Sequence, residues 1–192
     1  MAFENTIKHV DRIGKWKIKV GTYTNGGSDT GGELDTGLGN LLGLFLMKTG
    51  NGTTTDLAVV NETFPDVSGP YATIITKAGD DGIWLAIEGQ KTTATTTVDE
   101  VQIFDVTRSS NKYLACGQIV DGGNGAVAAV LTSVLEKIDW MILQPIDSSV
   151  AASSPVINET FPVDAGQSGG ITIACTASKT YLFLACGEKG GA

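Results

Sequence analysis

The pentapeptide Asn61-Glu62-Thr63-Phe64-Pro65 returns letter for letter as Asn158-Glu159-Thr160-Phe161-Pro162, an offset of 97 (61 to 158). A repeated segment constrains the fold more than composition does, because repeat architecture must be settled before elements are assigned. At the same offset upstream, Leu34, Thr36, Leu38, Leu41, Leu44 and Leu46 meet Leu131, Ser133, Leu135, Ile138, Met141 and Leu143. Further upstream the offset falls to 96 (21 to 117), where Val20-Gly21 and Gly26-Gly27 meet Cys116-Gly117 and Gly122-Gly123. Downstream, the offset of 97 sets Ile74 against Ile171 and Trp84 against Tyr181. The pattern predicts a tandem duplication of one unit of roughly 90 residues. The first unit is expected over residues 1–89, a Thr-rich linker over 90–97, and the second unit over 98–192 with a loose tail.

The local signals inside each unit are those of β structure. Residues 5–13 read as an edge strand or arm. Trp16, Ile18 and Val20 alternate with Lys15, Lys17 and Lys19, the period of a half-buried strand, and the lysines are expected to guard an edge. Asn25 to Gly32 is rich in glycine and reads as a turn; it lacks the Gly-Lys-Ser/Thr ending of a phosphate loop. A turn at Asp35-Thr36-Gly37-Leu38 leads to a buried strand over Leu41–Met47. Asn51-Gly52 signals a hairpin, and Leu57–Val60, Tyr71–Thr76 and Ile83–Ile87 are further strands. Pro65 should hold Phe64 extended, with Phe64 and Phe161 each capping its own core and Asn61 and Thr63 bonding nearby backbone. Ala126–Leu135 has enough helix formers for a short helix. Many short strands with turn signals between them predict an all-β fold, two tandem β-sandwich or jelly-roll-like units.

Little in the chain suits catalysis. His9 is the single histidine, which removes most triad and metal arrangements. Glu62 and Glu159 are two carboxylates at matched places of different units, so they read as copies of one structural turn rather than an acid–base pair. Asp29, Glu33, Asp35, Asp80 and Asp81 offer oxygen ligands without EF-hand spacing. They read as solvated loops, and no metal or cofactor is assigned. Cys116, Cys175 and Cys186 all fall in the second unit, so no disulfide framework is implied; a Cys175–Cys186 bridge is the one pairing weighed. The formal net charge of −8 disfavours nucleic acid and anionic membranes as partners. The start of the chain has no signal-peptide pattern, and no apolar run approaches the ~18 residues that span a bilayer. A soluble protein made in a cytoplasm is expected, and the sequons at Asn51, Asn61 and Asn158 then read as turn chemistry. Trp16, Phe45, Trp84 and Trp140 are core residues by default and interface anchors wherever exposed.

The first unit carries an ordered series of motifs: Met1-Ala2-Phe3, Val20-Gly21-Thr22-Tyr23-Thr24, Gly31-Gly32-Glu33-Leu34-Asp35-Thr36-Gly37-Leu38, Val59 to Pro65, and Asp81-Gly82-Ile83-Trp84-Leu85-Ala86. This series resembles a family of small proteins encoded among the virion genes of tailed phages. The resemblance covers nearly all of residues 1–89. In the second unit it rests on Val156 to Pro162, and it lapses where Asp35-Thr36-Gly37-Leu38 becomes Thr132-Ser133-Val134-Leu135. It implies a non-enzymatic virion structural protein, a capsid decoration or cement protein located in the virion. Its expected partners are the major capsid protein lattice and further copies of itself. A receptor- or carbohydrate-binding β-sandwich of a virion is the alternative, and a hydrolase the more remote one.

Overall fold

The computed structural model describes residues 3–26, 30–49, 57–65, 69–90, 97–98, 101–121, 126–129, 134–147, 155–164 and 171–189. Every regular element among them is a strand, as the sequence pattern predicts. The first half contributes β1 (Phe3–Ile13), β2 (Trp16–Asn25), β3 (Gly31–Asp35), β4 (Leu41–Thr49), β5 (Val59–Val60), β6 (Tyr71–Ile75) and β7 (Asp81–Glu88). The second contributes β8 (Thr97–Val98), β9 (Val101–Ser109), β10 (Lys112–Val120), β11 (Ala126–Ala129), β12 (Lys137–Ile146), β13 (Val156–Ile157), β14 (Val163–Asp164), β15 (Ile171–Ala174) and β16 (Thr180–Glu188).

The halves are built on one strand order. In the first, β1-β2-β7-β4 faces β3-β6-β5; in the second, β9-β10-β16-β12 faces β11-β15-β13. The irregularities recur too. β1 and β9 each carry a bulge, leaving Lys8 and Phe104 as the extra residues; β4 and β12 do the same at Leu42 and Asp139. Gly21 pairs with Trp84 and Gly117 pairs with Phe183. At each glycine a β-carbon would strike that aromatic ring, together with a backbone oxygen of the hairpin partner, Thr6 or Gln102. Glycine is thus required where an aromatic ring lies across the neighbouring strand.

This register corrects the expected downstream alignment. Trp84 corresponds to Phe183 and Ile74 to Ile173, an offset of 99, rather than to Tyr181 and Ile171. The segment between the pentapeptide and the following long strands is two residues longer in the second half, which a constant offset cannot absorb. Tyr181 instead stands opposite Ile119, where the first half has Gly82 opposite Tyr23. One large ring fills the same cross-strand site from opposite strands.

Other expectations are corrected as well. β2 is no edge: β1 covers one side and β7 the other, and Lys19 is buried with its Nζ donating to the Gly37 carbonyl at 2.8 Å. The true edge is β1, as expected for residues 5–13. The predicted helix over 126–135 is replaced by strand β11 at Ala126–Ala129, where ladder pairing with β15 overrides alanine's helix propensity. The glycine-rich turn is shorter than expected, since Gly31 and Gly32 already belong to β3. Asn51-Gly52, and residues 91–96 of the expected linker, lie outside the described residues.

The hydrophobic core crosses from one half to the other. Trp16, Leu42, Phe45 and Ile87 share a cluster with Phe104, Leu114, Cys116, Leu182 and Leu184. A second cluster, around Ile119, Ile138, Phe183 and Ala185, lies inside the second half. Three polar ties reinforce the crossing. Asp105 is buried and accepts from Trp16 Nε1 at 2.9 Å, from Lys15 Nζ at 2.5 Å and from its neighbour Val106 N at 2.8 Å. Gln144 is also buried; its Oε1 accepts from Leu46 N at 2.8 Å and its Nε2 donates to the Ala58 carbonyl at 3.0 Å. Finally, Val60 pairs in parallel with Ile146 and accepts from Asp147 N at 3.1 Å, fusing one sheet from each half.

Removing a buried carboxylate strands the donors that point at it. Asp105→Ala should therefore lower unfolding free energy by about 2–4 kcal/mol. Lys15→Ala, whose ammonium is half-exposed, should cost under about 1 kcal/mol. Urea titrations of both variants test this; equal small losses would show that Asp105 is not the tie.

Candidate interaction surface

The paired pentapeptides are the sequence feature with the strongest claim on function, and their geometry makes them structural. Each directly follows a two-residue strand, β5 in the first half and β13 in the second. Asn61 N donates to the Thr73 carbonyl at 2.9 Å, and Glu62 Oε1 accepts from Thr73 N at 2.7 Å. Asn158 N and Glu159 Oε1 bond Thr172 in the same way, at 2.9 and 3.0 Å. The carboxylate stands in for the carbonyl that a longer strand would present, so it finishes the ladder by one residue. The side-chain bond is thus made by the glutamate, while Asn61 and Thr63, and likewise Asn158 and Thr160, are exposed. The peptide bonds before Pro65 and Pro162 are both cis. Phe64 is buried, 4% exposed, in the core shared by the halves. Phe161 is only half-buried against the second core, a correction to the expected pair of equal caps. The two glutamates serve separate backbone groups and do not converge.

The aromatics expected as core or anchor also separate. Trp16, Trp84 and Phe45 are buried, whereas Trp140 is 40% exposed. On the same face of β12, Ile142 is 41% exposed. On the first half, cross-strand partners Met47 and Ile83 are 66% and 39% exposed. Gln144, next on the Trp140–Ile142 face, accepts from the backbone of Leu46, which places Met47 beside the end of that row. Exposed apolar groups thus stand on both halves, Trp140 and Ile142 on β12 and Met47 and Ile83 on the β4–β7 pair. Beside Trp140, Lys112 bridges Asp139 at 2.7 Å and Glu188 at 2.6 Å; Lys48 meets Asp80 at 2.7 Å in a largely buried pair on the face of β4 opposite Met47. The double pairing holds the Lys112 ammonium above its ordinary range and Glu188 below its own.

Two recesses adjoin the junction. A cleft of about 410 Å³ is lined mostly by apolar groups from Leu46, Leu57, Leu143, Pro145 and Val156. Its buried amide, Gln144, is already committed to backbone partners. A shallower recess of about 500 Å³ gathers Lys15, Arg108, Tyr113 and Lys189, with the Arg108 guanidinium 5.9 Å from the Tyr113 ring centroid. Lys15 there is held by Asp105. His9 is exposed on β1 and lies 3.8 Å from Asp11. Of the acidic candidates, Asp35 accepts from Gly37 N, Asp80 from Lys77 N and Lys48, and Asp29 lies outside the described residues. The described residues hold no group of three or more His, Cys, Asp or Glu arranged for a metal ion. No disulfide joins Cys116, Cys175 or Cys186; burial, and then the charge of Asp105, pushes the Cys116 thiol far above its usual range. No family model, no curated protein and no solved structure matches this chain.

Phe64→Ala should cost about 3–5 kcal/mol, as for a buried ring, and Phe161→Ala roughly 1–2 kcal/mol in keeping with its partial burial. Denaturation curves of the two variants decide it, and a loss below ~1 kcal/mol for Phe64→Ala would mean its ring is not core. Cys116 should resist a thiol reagent in the native state and react only on unfolding. Prompt labelling of Cys116, read by peptide mass, would contradict its burial.

Proposed function

We propose that this chain is a non-enzymatic virion structural protein, a decoration or cement protein that binds a capsid lattice of a tailed phage and associates with itself. The observation that carries the reading is the ordered motif series over residues 1–89, with its return at Val156 to Pro162. The geometry supports it in three ways. The core shared by both halves makes a stiff body suited to bridging neighbours on a shell. Carboxylates that could serve chemistry, Glu62, Glu159, Asp105 and Asp80, are spent on backbone or lysine partners. Exposed apolar side chains, Trp140 and Ile142 on one half and Met47 and Ile83 on the other, supply the kind of anchor that dominates protein interfaces. In this reading the two halves are copies of one unit, so one chain offers two related contact surfaces to a repeating shell. A carbohydrate-binding module would need an acid free beside its exposed aromatic; Asp139, the residue before Trp140, is engaged by Lys112.

Purified particles of the phage that encodes this chain should contain it in many copies, countable by quantitative mass spectrometry. Because each copy carries −8, attachment should weaken as salt is lowered and repulsion is unscreened. Absence from particles, or turnover of a substrate by the purified chain, would overturn the assignment.

A further inference from the structure

Two hairpin tips meet at one end of the molecule and concentrate positive charge there, in a chain of −8. The tip between β1 and β2 and the tip between β9 and β10 are built alike. Each turns through a residue of positive φ, Gly14 at 58° and Ser110 at 57°. Two residues earlier stands an arginine; Lys17 faces Arg12 across the hairpin, and Tyr113 faces Arg108. The first tip seats on β9, where Lys15 N donates to Thr107 Oγ1 at 3.1 Å. A β-carbon on Gly14 would strike that same oxygen. Beside the recess of about 500 Å³ that holds Arg108 and Lys189 lies a smaller one of about 200 Å³, lined in part by Arg12, Lys17 and Glu88. Lys15 borders both. Five cations and a single acid, Glu88, line the pair, a local charge of +4 above the buried Asp105 that holds Lys15.

The two tips differ in how that charge is answered. In the first half, Arg12 and Lys17 stand directly opposite each other, an unfavourable like-charge pair. Next in the row, Glu88 has one oxygen 3.8 Å from Lys17, while its other oxygen accepts from Gly39 N at 2.9 Å. In the second half the row reads Arg108, Tyr113 and Gly187, so a glycine stands where the first half has the acid. There the Arg108 guanidinium lies over the Tyr113 ring and its Nε donates to the Ser110 carbonyl at 2.8 Å. Both contacts hold the group in place and leave its two terminal amino groups for a forked pair of hydrogen bonds. Among the described residues, the side chains of Arg12, Arg108 and Lys189 have no carboxylate partner. We infer that this basic end is a binding site for a short acidic segment of a partner polypeptide. Its carboxylates take the forks of Arg108 and Arg12, with Lys15, Lys17 and Lys189 beside them. A planar carboxylate matches a guanidinium fork. Outside this end the chain carries −12, the total of −8 less the local +4. That field opposes a long polyphosphate, which would have to run on past the two recesses, and spares a short segment that ends within them. Such a site goes beyond the virion reading and does not depend on it.

Fluorescence anisotropy of a labelled hexaglutamate peptide, titrated with the full chain, is the test. Binding should saturate with a Kd on the order of 10–100 µM at low salt. It should weaken about tenfold between roughly 20 and 200 mM salt, as charge pairing does. Arg108→Ala and Arg12→Ala should each weaken it about threefold or more, and Arg108→Lys should not restore it, since an ammonium cannot fork. Lys77→Ala, which removes the same charge at the far end of β2, is the control and should leave binding unchanged. Thermal unfolding of each variant confirms that the fold is intact. A peptide that does not bind overturns the inference, as does binding that Lys77→Ala weakens as much as Arg108→Ala. Tighter binding of a DNA hexanucleotide than of the peptide would make the site one for nucleic acid. Self-association abolished by the Arg12→Ala, Arg108→Ala double variant would make a second copy the occupant; either result overturns the assignment to a foreign acidic segment. A chain that binds the peptide through Arg108 yet is absent from particles sinks the capsid reading and leaves this one standing.

Discussion

A buried carboxylate ties the two halves into one body. Asp105 sits on a strand of the second half and holds the indole of Trp16, which opens β2 in the first, and the ammonium of Lys15 just before it. Buried as it is, this carboxyl group is tolerable only because donors from both halves converge on it. Trp16 packed there carries Leu42 and Ile87 onto the same surface, so the apolar cluster spanning the halves depends on how this one charge is satisfied. Gln144 performs the neutral version of the same task further along, with both ends of its amide committed to first-half backbone. Neither half keeps its outer face to itself, and the chain behaves as a single sandwich stack rather than as beads on a linker.

The pentapeptide was legible in the sequence because its residues answer to local rules: a glutamate that can reach the next strand's amide, and a phenylalanine beside a proline at a sheet end. The all-β class was legible for a similar reason, since alternation and turn residues recur at short intervals. What the sequence hid was set by long-range pairing. Lys19 looks like a solvent-facing lysine until β1 and β7 close over both sides of β2 and the Gly37 carbonyl takes its charge. Alanines at 126–129 favour a helix until β15 offers a ladder. The match of Trp84 with Phe183 is invisible at a constant offset, because a longer connection in the second half shifts the strands that follow it.

The interaction surface was the least legible part. Four aromatics, Trp16, Phe45, Trp84 and Trp140, are equivalent as letters in an apolar run. Only the strand register shows that Trp140 occupies the position where the first half has Gly43, and only the structure shows that it stays 40% exposed. A glycine and a tryptophan at matched sites are opposite solutions: one permits a facing sheet to approach, the other leaves an indole partly open to solvent.

That contrast has a consequence for how a chain made of two like halves can avoid uncontrolled growth. If both halves presented the same sticky corner and the same receiving face, each molecule would extend the next without limit, the hazard of any heterologous contact that does not close. Here the first half's corner is consumed internally, with Asp105 and Gln144 fixing its register. The second half's corner is altered by Lys112 where the first has Trp16 and by Asp139 where it has Leu42, both drawn into an ion-paired rim. Charge in place of apolar surface at these two neighbouring positions limits how strongly the corner could hold another surface. A weak contact of this kind gains strength chiefly when many copies are held close together on a common support, since a second binding event then proceeds at high effective concentration.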